Sequence, residues 1–192
     1  MKPTDQKVYQ VQTPLFPRYS EVRLLMKALN GLVKKSDFHL FLKAIFDQTG
    51  TPQNQVDWSS PDEWIPQRLN GAEMALATRI WQLSQKALNP RHVYGSYLFI
   101  NGFELLRPDD GGVFRTTDRG KLFVAEDAAT VRAIDEAEGI PKLLSILAAH
   151  SPAKRGDLLE EWGDFLLAHS KFGKPSTFKD TLLRRTLNLV ER

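Results

Sequence analysis

The stretch that most constrains the fold is residues 89–121, NPRHVYGSYLFINGFELLRPDDGGVFRTTDRGK. Asn89 suits a helix N-cap, and Pro90 suits the first helical position, where its missing N–H leaves nothing unpaired. Gly102 is placed to end that helix in the left-handed conformation. Residues 103–106 and 113–116 predict two short strands. Asp109-Asp110-Gly111-Gly112 supplies the positive-φ residues of the turn between them. Thr117 is a good cap for a helix that follows. A helix, two strands joined by a Gly-rich turn and a new helix start, packed this tightly in sequence, predict an antiparallel hairpin flanked by helices.

That order is the signature of a winged helix, a fold that mostly contacts DNA. The remaining segments read as helices. Residues 19–31 place Val22, Leu24, Leu25, Ala28 and Leu29 at helical spacing. Ser36 or Asp37 can cap a second helix over 38–48, with Phe38, Phe41, Leu42, Ile45 and Phe46 inward. Ser60-Pro61-Asp62-Glu63 resembles a capping box and predicts a short helix to Leu69. Asn70 can cap another over 71–86, with Met74, Ala77, Ile80 and Trp81 inward and Leu88 just beyond. Asp127 can cap residues 128–138, and residues 141–150 place Leu143, Leu144, Ile146 and Leu147 inward. After Ser151-Pro152 a helix over 155–170 presents Leu158, Leu159, Trp162, Phe165 and Leu166. Ser176 can then cap a last helix over 177–191. The expected fold is mainly α: tandem winged-helix or helix-turn-helix units with one clear β-hairpin wing, the second unit lacking its wing. The expected domains are an irregular arm over 1–18, a helical winged-helix domain over 19–126 and a second helix-turn-helix domain over 127–192.

Composition narrows the class. With 42% hydrophobic and 26% charged residues the chain is an ordinary globular sequence. It has no cysteine, which excludes disulfides and Cys-based zinc sites. It has no apolar run of the roughly 18–20 residues a membrane helix needs and no apolar signal core at its start, so a cytoplasmic location is expected. Net charge is only +3, but residues 171–192 hold six basic residues against two acidic ones, so the other 170 residues carry a net −1. The basic surplus sits at the C-terminal end, where a localised field attracts phosphates.

Catalytic signatures are sparse. Asp62 and Asp109 each follow a proline, as the first acid of a metal-dependent nuclease does, but no acidic-x-Lys pair follows either. Asp5-Gln6-Lys7 lies upstream of both. Asp62 reads as serving a helix N-terminus and Asp109 as serving a turn. The histidines His39, His92, His150 and His169 form no i, i+4 pair and no HExxH, so no metal site or cofactor is expected. The Ser and Thr residues are accounted for by caps.

Several segments resemble a known family. GGVFRTTDRGK resembles the wing and following helix in the N-terminal domain of Mrr-type restriction endonucleases. DFHLFLKAIFDQTGTPQNQVDW, NPRHVYGSYLFINGFELL and KFGKPSTFKDTLLRRTLNLVER look like the N-terminal region of bacterial proteins that carry such a nuclease domain. The resemblance covers residues 19–192. It implies a non-catalytic module that recognises double-stranded DNA, modified bases included, within a restriction-modification and phage-defence system. It also implies a second wing and a Mg-dependent nuclease domain beyond Arg192. A homodimer is compatible with this role, and no membrane partner is expected.

For the second unit, helix-turn-helix docking points to Ser176, Thr177, Lys179 and Arg184 on a recognition helix, with Lys171 and Lys174 positioning phosphates. The same charges read equally well as the solvated face of an amphipathic helix. For the first unit the candidates are Arg91, His92, Tyr94 and Ser96 on the helix, and Arg107 and Arg115 on the wing. Asp109 and Asp110 at the wing tip oppose phosphate there, which favours the helix from Ser176 as the groove contact. An aromatic pocket for a flipped base, built from Tyr94, Tyr97 and Phe99, is a weaker reading than core packing. The rival functions are a stand-alone transcription regulator and a protein-interaction or dimerisation module that never touches DNA.

Overall fold

The computed structural model describes residues 9–11, 16–48, 56–150 and 159–169. Among these the protein is mainly α-helical with one antiparallel β-hairpin, as the sequence predicts. The chain divides into two compact units, Tyr19–Lys121 and a unit that joins Met1–Arg18 to Leu122–Arg192. No helix among the described residues is long and apolar enough to cross a membrane.

The Tyr19–Lys121 unit begins with α1 (Tyr19–Leu29), whose Val22, Leu25, Met26 and Leu29 recur at helical spacing and are buried. Then come α2 (Lys35–Asp47), α3 (Pro61–Arg68), α4 (Gly71–Leu83) and α5 (Tyr94–Gly102). The hairpin is β1 (Leu106–Pro108) and β2 (Phe114–Thr116), with Arg107 opposite Arg115. Helix α6 (Asp118–Val124) follows and crosses the boundary at Lys121. Helix α4 packs on α1, α2 and α3, while α5 packs on α1. Phe38 of α2 is fully buried and touches Tyr97 of α5 and Phe114 of β2, at ring-centroid separations of 4.8 and 6.3 Å.

The free edge of β2 is covered by the link between α1 and α2. Gly31 N–H donates to the Phe114 carbonyl at 2.7 Å, and Phe114 N–H to the Val33 carbonyl at 3.0 Å. Lys34 bridges Val113, and Lys35 N–H donates to the Gly112 carbonyl at 2.9 Å. This short third segment removes an exposed strand edge. It also moves the start of α2. Ser36 and Asp37 were the expected caps, but the N-cap is Lys34, held extended by its bridge to the hairpin.

Other boundaries shift for similar reasons. Asn89 caps as predicted, its side chain accepting from Arg91 N–H, but the element it caps is a single 3-10 turn, Pro90–His92, ahead of α5. The left-handed residue after α5 is Glu104 (φ 53°), not Gly102. Phe103 must complete the turn to bury against Phe99, 4.8 Å away between ring centroids, so the reversal and both strands fall later. Helix α4 ends at Leu83 rather than Lys86, because Gln85 and Lys86 adopt positive φ. Ser60 and Asn70 occupy N-cap positions without making a side-chain cap bond. Thr117 does cap α6, its hydroxyl accepting from Gly120 N–H at 3.0 Å and donating to the Glu104 carbonyl at 2.7 Å.

The other unit holds α7 (Ala128–Glu138), α8 (Ile140–Ala149) and α9 (Leu159–His169). Asp127 caps α7 as predicted, accepting from Thr130 N–H at 2.8 Å. Val11 and Phe16, in the segment expected to be an irregular arm, lie in a core with Leu143, Ile146, Trp162, Phe165 and Leu166. Gln10 N–H donates to the Ala137 carbonyl at 2.7 Å, which fixes that segment against α7. Leu144 points outward and is 59% exposed, because Leu143 and Ile146 set the buried face of α8.

Gly139 alone separates α7 from α8, at φ 83°, and a Cβ there would fall 2.3 Å from the Phe165 ring. Gly139→Ala therefore meets both left-handed strain and an aromatic clash. It is expected to cost about 2–4 kcal/mol in chemical denaturation. Gly163→Ala, where a Cβ meets nothing within 4 Å, is expected to be neutral or stabilising. Similar stability of the two variants would show that the α7–α8 joint does not need glycine.

Candidate nucleic-acid interface

The residues predicted for the first unit separate into two groups. Arg91 and His92 lie on the 3-10 turn before α5, anchored by Asn89, whose side-chain amide donates to the Trp58 carbonyl at 2.6 Å. The Arg91 guanidinium lies 4.8 Å above the Trp58 ring, and Trp58 packs edge-on against buried Trp64. That cation–π contact gives Arg91 a fixed base. The His92 imidazole has its pKa lowered, chiefly by desolvation and then by the Arg91 charge. Tyr94 is 51% exposed. Ser96, Tyr97 and Phe99 are buried on the inner faces of α5, which removes Ser96 as a DNA contact and Tyr97 and Phe99 as pocket walls.

Helix α2 brings Lys35 and Lys43, not expected at a site, into line with His39, and it exposes Phe46, which was expected to face inward. Lys35, His39 and Lys43 recur every four residues and so form one stripe, with Phe46 beside it. All four are exposed. His39 Nε2 is hydrogen-bonded to the Tyr97 hydroxyl, so the stripe runs alongside α5. At its far end Lys43, Leu42 and Phe46 meet Pro90, Arg91 and Tyr94 around a groove of about 490 Å³. At its near end the Lys35 backbone is bonded to the hairpin tip. Asp37 and Leu40 lie on the other flank of α2, in a separate groove toward α4. The spacing K-x-x-x-H-x-x-x-K is the signal in the sequence, and it is neither a metal-ligand pair nor a run of clustered charge.

The wing is closer to neutral than a count of its arginines implies. Arg107 pairs with Glu104 at 2.6 Å and Arg115 with Asp109 at 2.8 Å. The other Asp109 oxygen accepts from Gly111 N–H at 3.0 Å and Val113 N–H at 2.9 Å, so Asp109 serves the turn as expected. The Arg115 hydrogen bond, then the Val113 amide, hold its carboxyl below the usual aspartate range. Asp62 lies in the first turn of α3, as expected. Its carboxylate also accepts from Lys86 Nζ at 2.8 Å and Trp81 Nε1 at 3.0 Å, which ties α3 to the end of α4. These bonds, Lys86 first, lower its pKa.

In the other unit His150 and Lys142 converge on Glu161, at 3.2 and 3.6 Å. Among the described residues no three acidic or histidine side chains are grouped to hold a metal ion. Lys171, Lys174, Ser176, Thr177, Lys179 and Arg184 lie outside the described residues. Residues 122–169 carry nine acidic and four basic residues in sequence, so the basic surplus of residues 171–192 does not extend into them. No protein-family model, curated protein or solved structure matches this chain.

The hairpin tip carries its own test. A carboxylate whose pKa is lowered on folding stabilises the structure above its unfolded pKa, and that contribution is lost as pH falls through the lower, folded value. The Gly111 and Val113 amide resonances are therefore expected to shift together below about pH 4. Asp109→Ala should reproduce the acid-state shifts at neutral pH. Amides that stay put in both experiments would show that another group holds the tip.

Proposed function

We propose that this chain is a non-catalytic, double-stranded DNA-binding module whose contact face in the Tyr19–Lys121 unit is formed by α2 and the N-terminal end of α5. The observation that carries the reading is the Lys35–His39–Lys43 stripe, which lies beside α5, joins the hairpin tip at one end and meets Arg91 and Tyr94 at the other. Lys35 and Lys43 are eight residues apart on a helix, roughly 12 Å. That is close to the width of the B-DNA major groove, about 12 Å. In this docking α2 and Arg91 position phosphates, and the 3-10 turn and the first turn of α5 present His92 and Tyr94 to base edges. In its neutral form an imidazole both donates and accepts, which suits His92 to a base edge.

The resemblance to Mrr-type restriction endonucleases supports a target-recognition role for a nuclease domain outside these residues. In that role Lys171, Lys174, Ser176, Thr177, Lys179 and Arg184 supply a second set of contacts. The protein-interaction reading draws on one feature, the groove between α2 and α4. There Leu32 is 61% and Leu40 56% exposed, beside Asp37 and Glu73.

Titration of a DNA duplex at several salt concentrations tests the assignment. Lys35→Ala/Lys43→Ala is expected to weaken binding about tenfold and to lower the slope of log K against log salt by about 2. Lys179→Ala/Arg184→Ala is expected to cause a separate loss of similar size. An α2 variant that binds as tightly as the parent, with the same salt slope, removes α2 from the interface.

A further inference from the structure

We propose that the groove between α2 and α5 receives one unpaired nucleotide of bound DNA, its base against Phe46 and Tyr94 and its phosphate between Lys43 and Arg91. The inference rests on the duplex-binding reading and adds a site for a base outside the helical stack. Phe46 is 70% exposed and Tyr94 51% exposed, so two aromatic side chains face water at the edge of one groove. Neither is needed for the core, because Phe38, Phe41 and Ile45 already fill the buried face of α2 and Tyr97, Phe99 and Ile100 that of α5. Leu42 and Ile45 also line the groove, which gives it an apolar floor.

Both cations at the groove suit a phosphate. Lys43 is engaged by Asp47, one helical turn away, in an exposed ion pair. Such pairs are weak, so a phosphate can displace Asp47. Arg91 rests on Trp58 and is held at the groove without a carboxylate partner among the described residues. An apolar, aromatic cleft with a basic rim matches a nucleotide, whose flat base stacks on aromatic rings while its phosphate meets cations. The cleft also continues the Lys35–His39–Lys43 stripe, so a strand tracked by that stripe reaches it.

The test uses a fully paired duplex and the same duplex with one bulged 2-aminopurine. The bulged duplex is expected to bind about tenfold more tightly, with quenched 2-aminopurine fluorescence. Phe46→Ala, an exposed substitution whose fold is checked by circular dichroism, is expected to abolish the quench and the preference while leaving paired-duplex affinity unchanged. Lys43→Gln should reduce the preference in addition to weakening both duplexes. Equal affinity for the two duplexes, or a quench that survives Phe46→Ala, overturns the proposal. So does binding of an acidic, Phe-containing peptide in the groove with no quench of any oligonucleotide. A Phe46-dependent quench with a single-stranded oligonucleotide, combined with no affinity for the paired duplex, keeps the groove and overturns the duplex reading.

Discussion

The burial of Phe38 is the contact on which the Tyr19–Lys121 unit depends. Its ring meets Phe41 on its own helix, Tyr97 on α5 and Phe114 on β2, with no solvent exposure. Enclosing such a ring contributes about 3 kcal/mol, but its larger effect is geometric. Close packing leaves little room for α2, α5 and the hairpin to slide past one another. The relative placement of Lys43, Arg91 and Tyr94 therefore follows from a buried aromatic cluster and not from polar contacts between those residues.

Local chemistry in this chain was legible in part, since Ser60 and Asn70 hold cap positions without a cap bond, and long-range chemistry was not. Asn89, Thr117 and Asp127 cap as expected because each reaches an amide two or three residues on, an interaction that needs no tertiary partner. Ser36 fails as a cap because the bridge between Lys34 and Val113, far apart in sequence, sets where α2 begins. Asp62 sits in the first turn of α3 as expected, but its partners Trp81 and Lys86, far along the chain, were not legible. Gly102 looked like the helix stop, but the need to bury Phe103 moved the left-handed residue to Glu104. The α2 stripe was present as a four-residue spacing, but its place beside α5 rests on long-range contacts such as the hydrogen bond between His39 and Tyr97.

The electrostatic reading changes in the same direction. Wing arginines drew attention as candidates for a groove, and the acidic tip counted against them. In the folded chain the two are linked at Asp109, which is the partner of Arg115, while Arg107 is paired with Glu104. These pairs are exposed and individually weak, but they leave the wing with little net field. Lys43 on α2 is paired in the same way, with Asp47, so it is Lys35 and Arg91 that add more positive field than the hairpin does. The negative balance of residues 122–169 works the same way, because it confines the basic surplus of the C-terminal unit to its last residues.

Asp109 has a further consequence through Arg115. The Arg115 Nη1 lies 3.3 Å from the point a Cβ would occupy on Gly31, so the arginine passes across the α1–α2 link where a larger residue would crowd it. Gly31 also needs its freedom at φ 75°, and its N–H donates to Phe114. One carboxylate thus shapes the turn through Gly111 and Val113 and directs an arginine over the segment that pairs with β2. That segment leads directly into Lys34 and Lys35. The acidic tip, which on charge alone argues against DNA, is in structural terms part of what sets the start of the basic α2 stripe against the hairpin.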